Sequence, residues 1–424
     1  MVNDKSNKLK VTTEGFEMYL SSNNRSDCCG CSGCQQICPL NCITMSLLDD
    51  GFYYPTVDEE SCVHCGKCVT VCPIHQAHKT LRNDQTLACY YGWHKDEPTR
   101  MKSTSGGAFS AIAELVLENG HSCVYGALYN EDWRVCHRKI VSVRELDRLR
   151  QSKYIQSDLG NCYSEIQERL KRNDHVLFCG TPCQIDGLRL FLGKEYEKLL
   201  LVDFVCHGVT SPVIFKAYVQ YLEKKNGSRV KMFRFRDKVK IGNRLSLAHT
   251  TIVFENDGVE SSECNLYLRA YMNGLMQRVS CEKCPYASHY RRSDITLGDF
   301  WGIEDIIPSL KEQFSKGISL VLSNTEKGHA LCEKLSHTMC LVETKIMYAF
   351  NGRNAQLERP VHGNQKKQQF YKDAKKIGIK LALVRSLGFK SLLLMRCGWC
   401  KNIIKAYLPK EIYGWMVSLK RSFH

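Results

Sequence analysis

The chain has 424 residues with a hydrophobic fraction of 43%, enough for the cores of the two or three domains that this length predicts. No run approaches the roughly 18 uncharged apolar residues of a spanning helix. The 24 cysteines would suit a secreted disulfide scaffold, but residues 1–27 lack the apolar core of a signal peptide. A cytoplasmic location is therefore expected, and the formal charge of +15 favours anionic partners.

Behind a polar leader at residues 1–24, one cysteine spacing occurs twice. Each copy has three cysteines separated by two residues and a fourth, three residues further on, that precedes a proline. The copies are Cys28, Cys31, Cys34 and Cys38, and Cys62, Cys65, Cys68 and Cys72. In two-cluster bacterial ferredoxins, three cysteines of a copy bind one 4Fe-4S cube and the fourth binds the other. The predicted ligand sets are therefore Cys28, Cys31, Cys34 and Cys72 for the first cluster, and Cys62, Cys65, Cys68 and Cys38 for the second.

Two zinc knuckles are the alternative, because zinc also binds four thiolates. Zinc needs neither the third cysteine of each triplet nor the following proline, so the spacing favours iron–sulfur clusters. Between the copies, Ile43–Leu48 and Phe52–Val57 flank turn residues 49–51, which predicts a β-hairpin. Residues 25–80 are thus expected to form a two-cluster 4Fe-4S ferredoxin-like domain that depends on its clusters for a core.

A polar linker is predicted at residues 75–85, and strand and helix signals alternate beyond it. The predicted strands are Thr86–Gly92, His121–Tyr129, Trp133–Ile140, His175–Phe178, Leu199–Val205, Val230–Phe235, His249–Phe254, Asp294–Phe300 and Ile318–Ser323. The predicted helices are Gly107–Glu118, Leu159–Lys171, one beginning at Cys183, and Pro212–Lys225. This alternation predicts one large α/β domain over residues 86–350, with an inserted or edge antiparallel portion.

Three short stretches of this domain have the chemistry of cofactor sites. Ser103–Gly107 precedes a predicted helix; glycines there suit a phosphate or a flavin edge, although an ordinary N-cap has the same pattern. Cys183 falls at a predicted helix start, a position that favours the thiolate. Cys281 and Cys284 form a Cys-x2-Cys pair, which suits zinc, a redox pair or part of a cluster.

Several stretches, in the same order, resemble the coenzyme F-420 hydrogenase/dehydrogenase beta-subunit family. They are Ser103–Gly107, Ser152–Ser157, Gly180–Gln184, Cys206–Gly208, the Cys281/Cys284 pair and Gly298–Gly302. The resemblance implies a flavoprotein that holds FAD and passes electrons between iron–sulfur clusters and the flavin. Some relatives reduce the deazaflavin coenzyme F-420 and one plant branch reduces a chlorophyll precursor, so the substrate does not follow from the resemblance.

The resemblance also implies site residues. A third 4Fe-4S cluster is expected on Cys183, Cys206, Cys281 and Cys284. Flavin contacts are expected from Ser105, Gly106, Gly107, Lys153, Thr181 and Gln184, although each of these could have a structural role instead. Asp299 is expected to orient the flavin or the surroundings of the cluster, with a turn or capping role as the alternative. His207 is expected to tune the neighbouring cluster, and no catalytic residue is assigned.

The C-terminal tail carries most of the charge. Residues 364–424 hold 14 Lys and Arg against Asp373 and Glu411. Ile377–Leu394 is predicted to be a basic amphipathic helix suited to an anionic membrane surface or an acidic protein, which allows a peripheral position at the inner membrane face. A helical cap on the main domain is the alternative. Nucleic-acid binding is not expected, because no base-reading or RNA-binding motif is present.

Most remaining cysteines are expected to be packed thiols. Cys29 and Cys42 belong to this group, with Cys42 as a substitute ligand if Cys38 is displaced. Cys397 and Cys400 resemble a redox dithiol but lack the preceding strand of a thioredoxin-like unit. The chain also lacks the glycine fingerprint of Rossmann folds, so direct use of NAD is not supported.

The predicted fold class is α+β / α/β, with a ferredoxin-like domain, a flavin-binding α/β domain and a basic helical tail at residues 351–424. The expected function is an iron–sulfur flavoprotein oxidoreductase that passes electrons between 4Fe-4S clusters and FAD and on to an organic acceptor or a deazaflavin-type coenzyme. A ferredoxin or flavodoxin is the expected donor, with a partner oxidoreductase as the other choice. The alternative function is a non-catalytic relay subunit that feeds a separate enzyme.

Overall fold

The computed structural model of the chain describes residues 18–80, 86–242, 244–388 and 392–393. In these residues no helix is both long enough and apolar enough to cross a membrane. The predicted Cys397–Cys400 dithiol and the end of the predicted tail helix lie outside the described residues.

The front unit consists of one hairpin and four short helices. Its helices are α1 Tyr19–Ser22, α2 Gly33–Ile37, α3 Lys67–Thr70 and α4 Pro73–Thr80. Its strands are β1 Ile43–Leu47 and β2 Tyr53–Val57, which pair antiparallel as predicted. The linker predicted at residues 75–85 is wrong over residues 75–80, which belong to α4, because Ile74 and Ala77 on this helix are buried against the larger unit. Residues 81–85 lie outside the described residues.

The two cysteine copies repeat in backbone as well as in sequence. Helix α2 begins after Ser32, which has a φ of 58°, and helix α3 begins after Gly66, which has a φ of 73°. Ser32 and Gly66 occupy the same position in the two copies. Because this residue has a left-handed backbone conformation, each cysteine loop changes direction there and continues as a short helix.

The larger unit contains the remaining elements. Its helices are α5 Glu97–Lys102, α6 Ala108–Leu117, α7 Cys162–Lys171, α8 Pro182–Leu192, α9 Pro212–Asn226, α10 Leu266–Met272, α11 Ile303–Ile306, α12 Lys311–Phe314, α13 Glu326–Lys334, α14 Lys367–Ile377 and α15 Ile379–Leu387. Its strands are β3 Ala88–His94, β4 Ser122–Tyr129, β5 Val135–Ile140, β6 His175–Cys179, β7 Leu199–Phe204, β8 Val230–Ile241, β9 Arg244–Phe254, β10 Val259–Ser262, β11 Ile295–Asp299, β12 Ser319–Ser323 and β13 Met339–Thr344.

Eight of these strands form one mixed sheet in the order β13-β3-β12-β11-β7-β6-β4-β5. The central strands β11, β7, β6 and β4 are parallel neighbours, and the flanking pairs are antiparallel. Strands β8, β9 and β10 form a separate antiparallel sheet, which is the predicted inserted portion. The predicted fold class is therefore confirmed: a ferredoxin-like region precedes a larger mixed α/β unit.

Strands β8 and β9 are longer than the predicted strands at 230–235 and 249–254. They pair from Val230 opposite Phe254 to Ile241 opposite Arg244. The halves of β8 and β9 toward Ile241 and Arg244 contain charged residues, which are poor strand formers. The alternating apolar pattern of a strand is therefore lost there, although the two strands stay paired. Cross-strand pairing outweighs local preference in this part of the sheet.

The tail packs on the larger unit in two helices. The predicted helix over Ile377–Leu394 corresponds to α15, which is shorter than predicted because it begins after Gly378, with a φ of 82°, and ends before Gly388, with a φ of 75°. Phe370 and Leu383 are fully buried in the core formed with α9, α10 and the second sheet. In the described residues, the tail therefore matches the helical-cap alternative.

Candidate functional site

The predicted ligands of the first cluster face one cavity in the front unit. Cys28, Cys31, Cys34 and Cys72 all line it. Burial raises the pKa of the Cys34 thiol well above its usual value, and the charges of the other three thiolates raise it further. Four crowded thiolates need a cationic centre to balance their charge, which a 4Fe-4S cube provides. The donor set therefore fits this cluster.

The predicted ligands of the second cluster lie in a more open place. Cys65 is exposed, whereas Cys38, Cys62 and Cys68 are half-buried. Burial raises the pKa of Cys68, as do the charges of Cys65 and Cys62. The Cys38 sulfur is 3.3 Å from that of Cys42, which in turn contacts Cys62. The structure therefore brings five thiols together here rather than four.

The four cysteines implied by the resemblance also come together. Cys183 is the second residue of α8, and Cys206 follows β7 by two residues. Cys281 lies in a short 3-10 turn at Val279–Lys283, and Cys284 caps that turn. Burial raises the pKa of Cys206 well above its usual value, and so do the charges of Cys281, Cys183 and Cys284. Gly208 makes this approach possible, because its φ is 78° and an added Cβ atom there would lie 3.1 Å from the Cβ atom of Cys281.

The spacing of these thiols differs from that of a mononuclear site. Within the described residues, no three His, Cys, Asp or Glu side chains have the arrangement needed to hold a single metal ion. A cube offers a separate iron to each of its four thiolates and does not require that arrangement.

Cys29 joins the first ligand set to the third. Hydrogen bonds to Cys183 and Cys31 raise the pKa of its thiol, and burial adds to the effect. Cys29, Cys183 and Cys284 pack together against Tyr286, whose hydroxyl donates to Asp186 at 2.7 Å. The expected packed thiol therefore lies between two candidate clusters.

Arg278 and Gln156 connect the front unit to the larger unit, and the sequence pattern predicts no role for Arg278. Its guanidinium is fully buried and donates to the carbonyl oxygens of Cys28 and Tyr53 and to Gln156 Oε1, at 2.7, 3.0 and 2.8 Å. Gln156 Nε2 donates to the carbonyl oxygens of Cys29 and Gly30. Arg278 lies three positions before Cys281, and this nearness to a predicted ligand is the only sequence signal that marks it.

Two predicted cofactor contacts and one predicted cluster ligand lie near the carboxyl ends of the parallel strands. Thr181 follows β6, Cys206 follows β7 and Asp299 ends β11. In open α/β sheets this edge is where ligands bind.

The glycine loop before α6 is packed against protein backbone. A Cβ atom on Gly106 would collide with the carbonyl oxygen of Gly92 and the amide of Ser319, and Gly107 has a φ of 96°. Ser105 donates through its hydroxyl to the carbonyl oxygen of Ile318. These contacts explain the loop structurally, and its role in flavin binding stays a prediction.

Three other predicted contacts are engaged within the chain. The Lys153 amine donates to the carbonyl oxygens of residues 149–151, and burial lowers its pKa to about 7. Gln184 Oε1 accepts from the Thr181 amide, and its Nε2 donates to Ser157. Thr181 and Gln184 form the capping box of α8, which positions Cys183.

Asp299 forms an ion pair with Arg236, a residue that the sequence pattern does not single out. Their side chains approach to 2.5 Å, and the Arg236 guanidinium lies 5.1 Å from the ring centroid of Trp301. Burial opposes the charge on Arg236, but Asp299 and Tyr154 together outweigh burial and raise the pKa of Arg236. Burial lowers the pKa of His207, which lies beside this pair. The alternation Arg234, Arg236, Lys238 along β8 is the signal that could have identified this charged face.

Two family models support an iron–sulfur electron-transfer oxidoreductase, in agreement with the mixed α/β architecture. Residues 173–347 match the family model for the C-terminal part of the coenzyme F420 hydrogenase/dehydrogenase beta subunit. Residues 54–78 match the model of a 4Fe-4S binding domain. Both parts of the predicted resemblance are thereby confirmed.

The comparison with curated proteins gives no match. Among solved structures, the chain is similar to one from a xenon-derivatised F420-reducing NiFe hydrogenase complex of Methanosarcina barkeri. Sequence identity is 17%, the match covers 70% of this chain and 94% of the other, and the TM-score is 0.43.

Proposed function

We propose that the chain is an iron–sulfur flavoprotein oxidoreductase with three 4Fe-4S clusters and one FAD. Electrons pass between the second and first clusters of the front unit, then through the third cluster to the flavin, and on to an organic acceptor or a deazaflavin-type coenzyme. The contact of Cys29 with both Cys31 and Cys183 carries this proposal, because it brings the first and third ligand sets into direct proximity.

The burial of the ligands supports this order. Cys65 is exposed, whereas Cys206 is packed among the three other thiols of its set and raised in pKa by burial. A cluster near solvent is accessible to an electron-transfer partner, and a buried cluster is shielded from one. Electrons therefore exchange with a protein partner at the second cluster.

The surface around the second cluster is acidic, with Asp58, Glu59 and Glu60 exposed beside Val63, of which 66% is exposed. This local charge opposes an acidic ferredoxin, although the net charge of the chain favours one. A partner oxidoreductase with a basic rim suits this face better. Its association is expected to weaken as salt is added.

The chemistry at the flavin is that of the cofactor, which converts one-electron transfers into a two-electron hydride step when bound. The chain supplies position and charge. The partly buried cation Arg236 suits the negative charge of a pyrophosphate or of a reduced flavin, and Asp299 orients it. Lys153 is bonded to main-chain carbonyls, so a phosphate contact from it would require those bonds to break.

Anaerobic purification with iron, sulfide and flavin quantification tests the proposal. The wild type should hold about twelve irons in three cubes and one FAD. Cys206→Ala should lose about four irons, whereas Cys340→Ala, which removes a cysteine on β13 far from every predicted ligand set, should lose none. A wild type with about eight irons contradicts the third cluster, and a protein purified without flavin contradicts the FAD.

The relay alternative predicts a different activity. An enzyme should reduce its acceptor from a chemical one-electron donor without any other protein. A relay subunit should be reduced by the same donor but transfer electrons only when its partner enzyme is added. Stopped-flow reduction followed by acceptor turnover distinguishes the two.

A further inference from the structure

The second cluster position contains one thiol more than a 4Fe-4S cube requires. Cys42 is 7% exposed, and its sulfur is 3.3 Å from that of Cys38. It also contacts Cys62, which is a predicted ligand of the same cluster. Cys42 therefore lies beside two ligands of one cluster.

The backbone fixes Cys42 in this place. Asn41 has a φ of 53°, and its amide donates to the carbonyl oxygen of Cys38, so the chain turns back toward the cluster. The carbonyl oxygen of Cys42 accepts from the amide of Asp58, immediately before the start of β1. The thiol is thus held by the hairpin rather than by the cluster itself.

The ferredoxin repeat does not require this cysteine. Gln76 occupies the equivalent position after the last cysteine of the second copy. The side-chain Nε2 of Gln76 donates to the carbonyl oxygen of Val69 within its own loop. The extra thiol is therefore present at the open second cluster and has no counterpart at this position of the enclosed first cluster.

We propose that Cys42 is an alternative ligand of the second cluster, interchangeable with Cys38 at one iron. In the exchange, the bond from iron to the Cys38 sulfur breaks and a bond to the Cys42 sulfur forms. The proton of the Cys42 thiol passes to Cys38, so no electron is gained or lost. The spare thiol keeps the solvent-facing cube whole when one ligand dissociates. The inference rests on the proposed function only for the presence of the front clusters.

Three variants of the full chain, purified anaerobically, test the exchange: Cys38→Ala, Cys42→Ala and C38A/C42A. Either single variant should keep the iron content of the wild type, because one of the two thiols remains. The double variant should lose up to about four irons. The EPR spectrum of reduced C38A should differ from that of the wild type, because the ligand geometry at one iron changes, whereas that of C42A should not.

The first cluster provides the matched control. C29A/C72A removes the fourth ligand of that cluster and the non-ligand thiol that contacts its ligand Cys31, and Gln76 offers no replacement, so it should lose iron while C29A keeps its iron. Loss of iron in C38A equal to that in C38A/C42A, or a three-iron EPR signal in oxidised C38A, overturns the exchange. Full iron retention in C38A/C42A or in C29A/C72A also overturns it. If the wild type itself lacks the front clusters, the proposed function fails instead.

Discussion

The guanidinium of Arg278 lies 4.1 Å from the ring centroid of Tyr54, so a cation of the larger unit is held against the hairpin of the front unit. Its donors reach the backbone on both sides of this contact, at Cys28 and Tyr53. One side chain thereby attaches the first cluster loop, the hairpin and the turn that carries Cys281.

Replacing this residue should loosen the front unit. Arg278→Gln leaves buried carbonyl oxygens without donors and removes a fully buried charge-assisted network, which costs about 3 kcal/mol. We expect a lower thermal midpoint and faster release of iron by a chelator. For Arg278→Lys, the thermal midpoint and the rate of iron release should lie between those of the wild type and Arg278→Gln, because lysine keeps the charge but lacks the planar guanidinium and its several donors.

Arg353→Gln is the matched control for this substitution. Arg353 is 53% exposed and pairs with Asp305 on the surface, so its loss should change stability by less than about 0.5 kcal/mol. Equal effects of R278Q and R353Q would contradict the role assigned to Arg278.

Gly30 provides a second test of the same junction. Gly30 and Gly66 have φ values of 72° and 73°, so alanine at either position costs about 1–2 kcal/mol of backbone strain. A Cβ atom on Gly30 would also overlap Gln156 Nε2, whereas one on Gly66 meets nothing within 4 Å. Gly30→Ala should therefore displace Gln156 and release first-cluster iron faster than Gly66→Ala. Iron release at the same rate in both variants would show that Gln156 does not hold the loop.

Local patterns account for much of the fold. The β1–β2 hairpin follows from alternating apolar residues around a glycine turn, and α8 follows from the proline and capping residues at its start. Each of these signals lies within a few consecutive residues. The strand and helix alternation from β4 to α9 is predictable for the same reason.

The junction between the units is not predictable in this way. Arg278 and Gln156 are 122 residues apart, and their contact depends on how the front unit docks. Lys153 shows the reverse case: its place in a family motif predicts a flavin contact, which stays a prediction, while tertiary structure shows its amine donating to nearby carbonyl oxygens. Motifs identify residues that approach a site, whereas tertiary packing decides which of their donors stay free.

The tail helix α15 offers an internal comparison. Leu383 is fully buried and Leu381 is 55% exposed on the same helix. Leu383→Ala should cost about 2–5 kcal/mol, because it leaves a cavity in the core, whereas Leu381→Ala should cost little. Thermal unfolding measures the difference. Equal midpoints would mean that the helix is not docked. Weaker binding of L381A than of the wild type to anionic vesicles would then favour the membrane alternative, because an exposed leucine contributes apolar contact with the bilayer.

Lys238 should make stability depend on pH. Its amine donates to the carbonyl oxygens of Arg100 and Ser105, and burial, followed by the charge of Arg100, lowers its pKa from 10.5 to about 7. Between pH 7 and 10.5 the unfolded chain binds the lysine proton and the folded chain does not, so stability rises with pH. From pH 7 to pH 9 the wild type should gain about 2 kcal/mol relative to Lys238→Met, which has no proton to lose. Lys240→Met, on the same strand and exposed, should follow the wild type across this range. Parallel pH profiles for the wild type and K238M in thermal unfolding would mean that Lys238 stays charged in the folded protein.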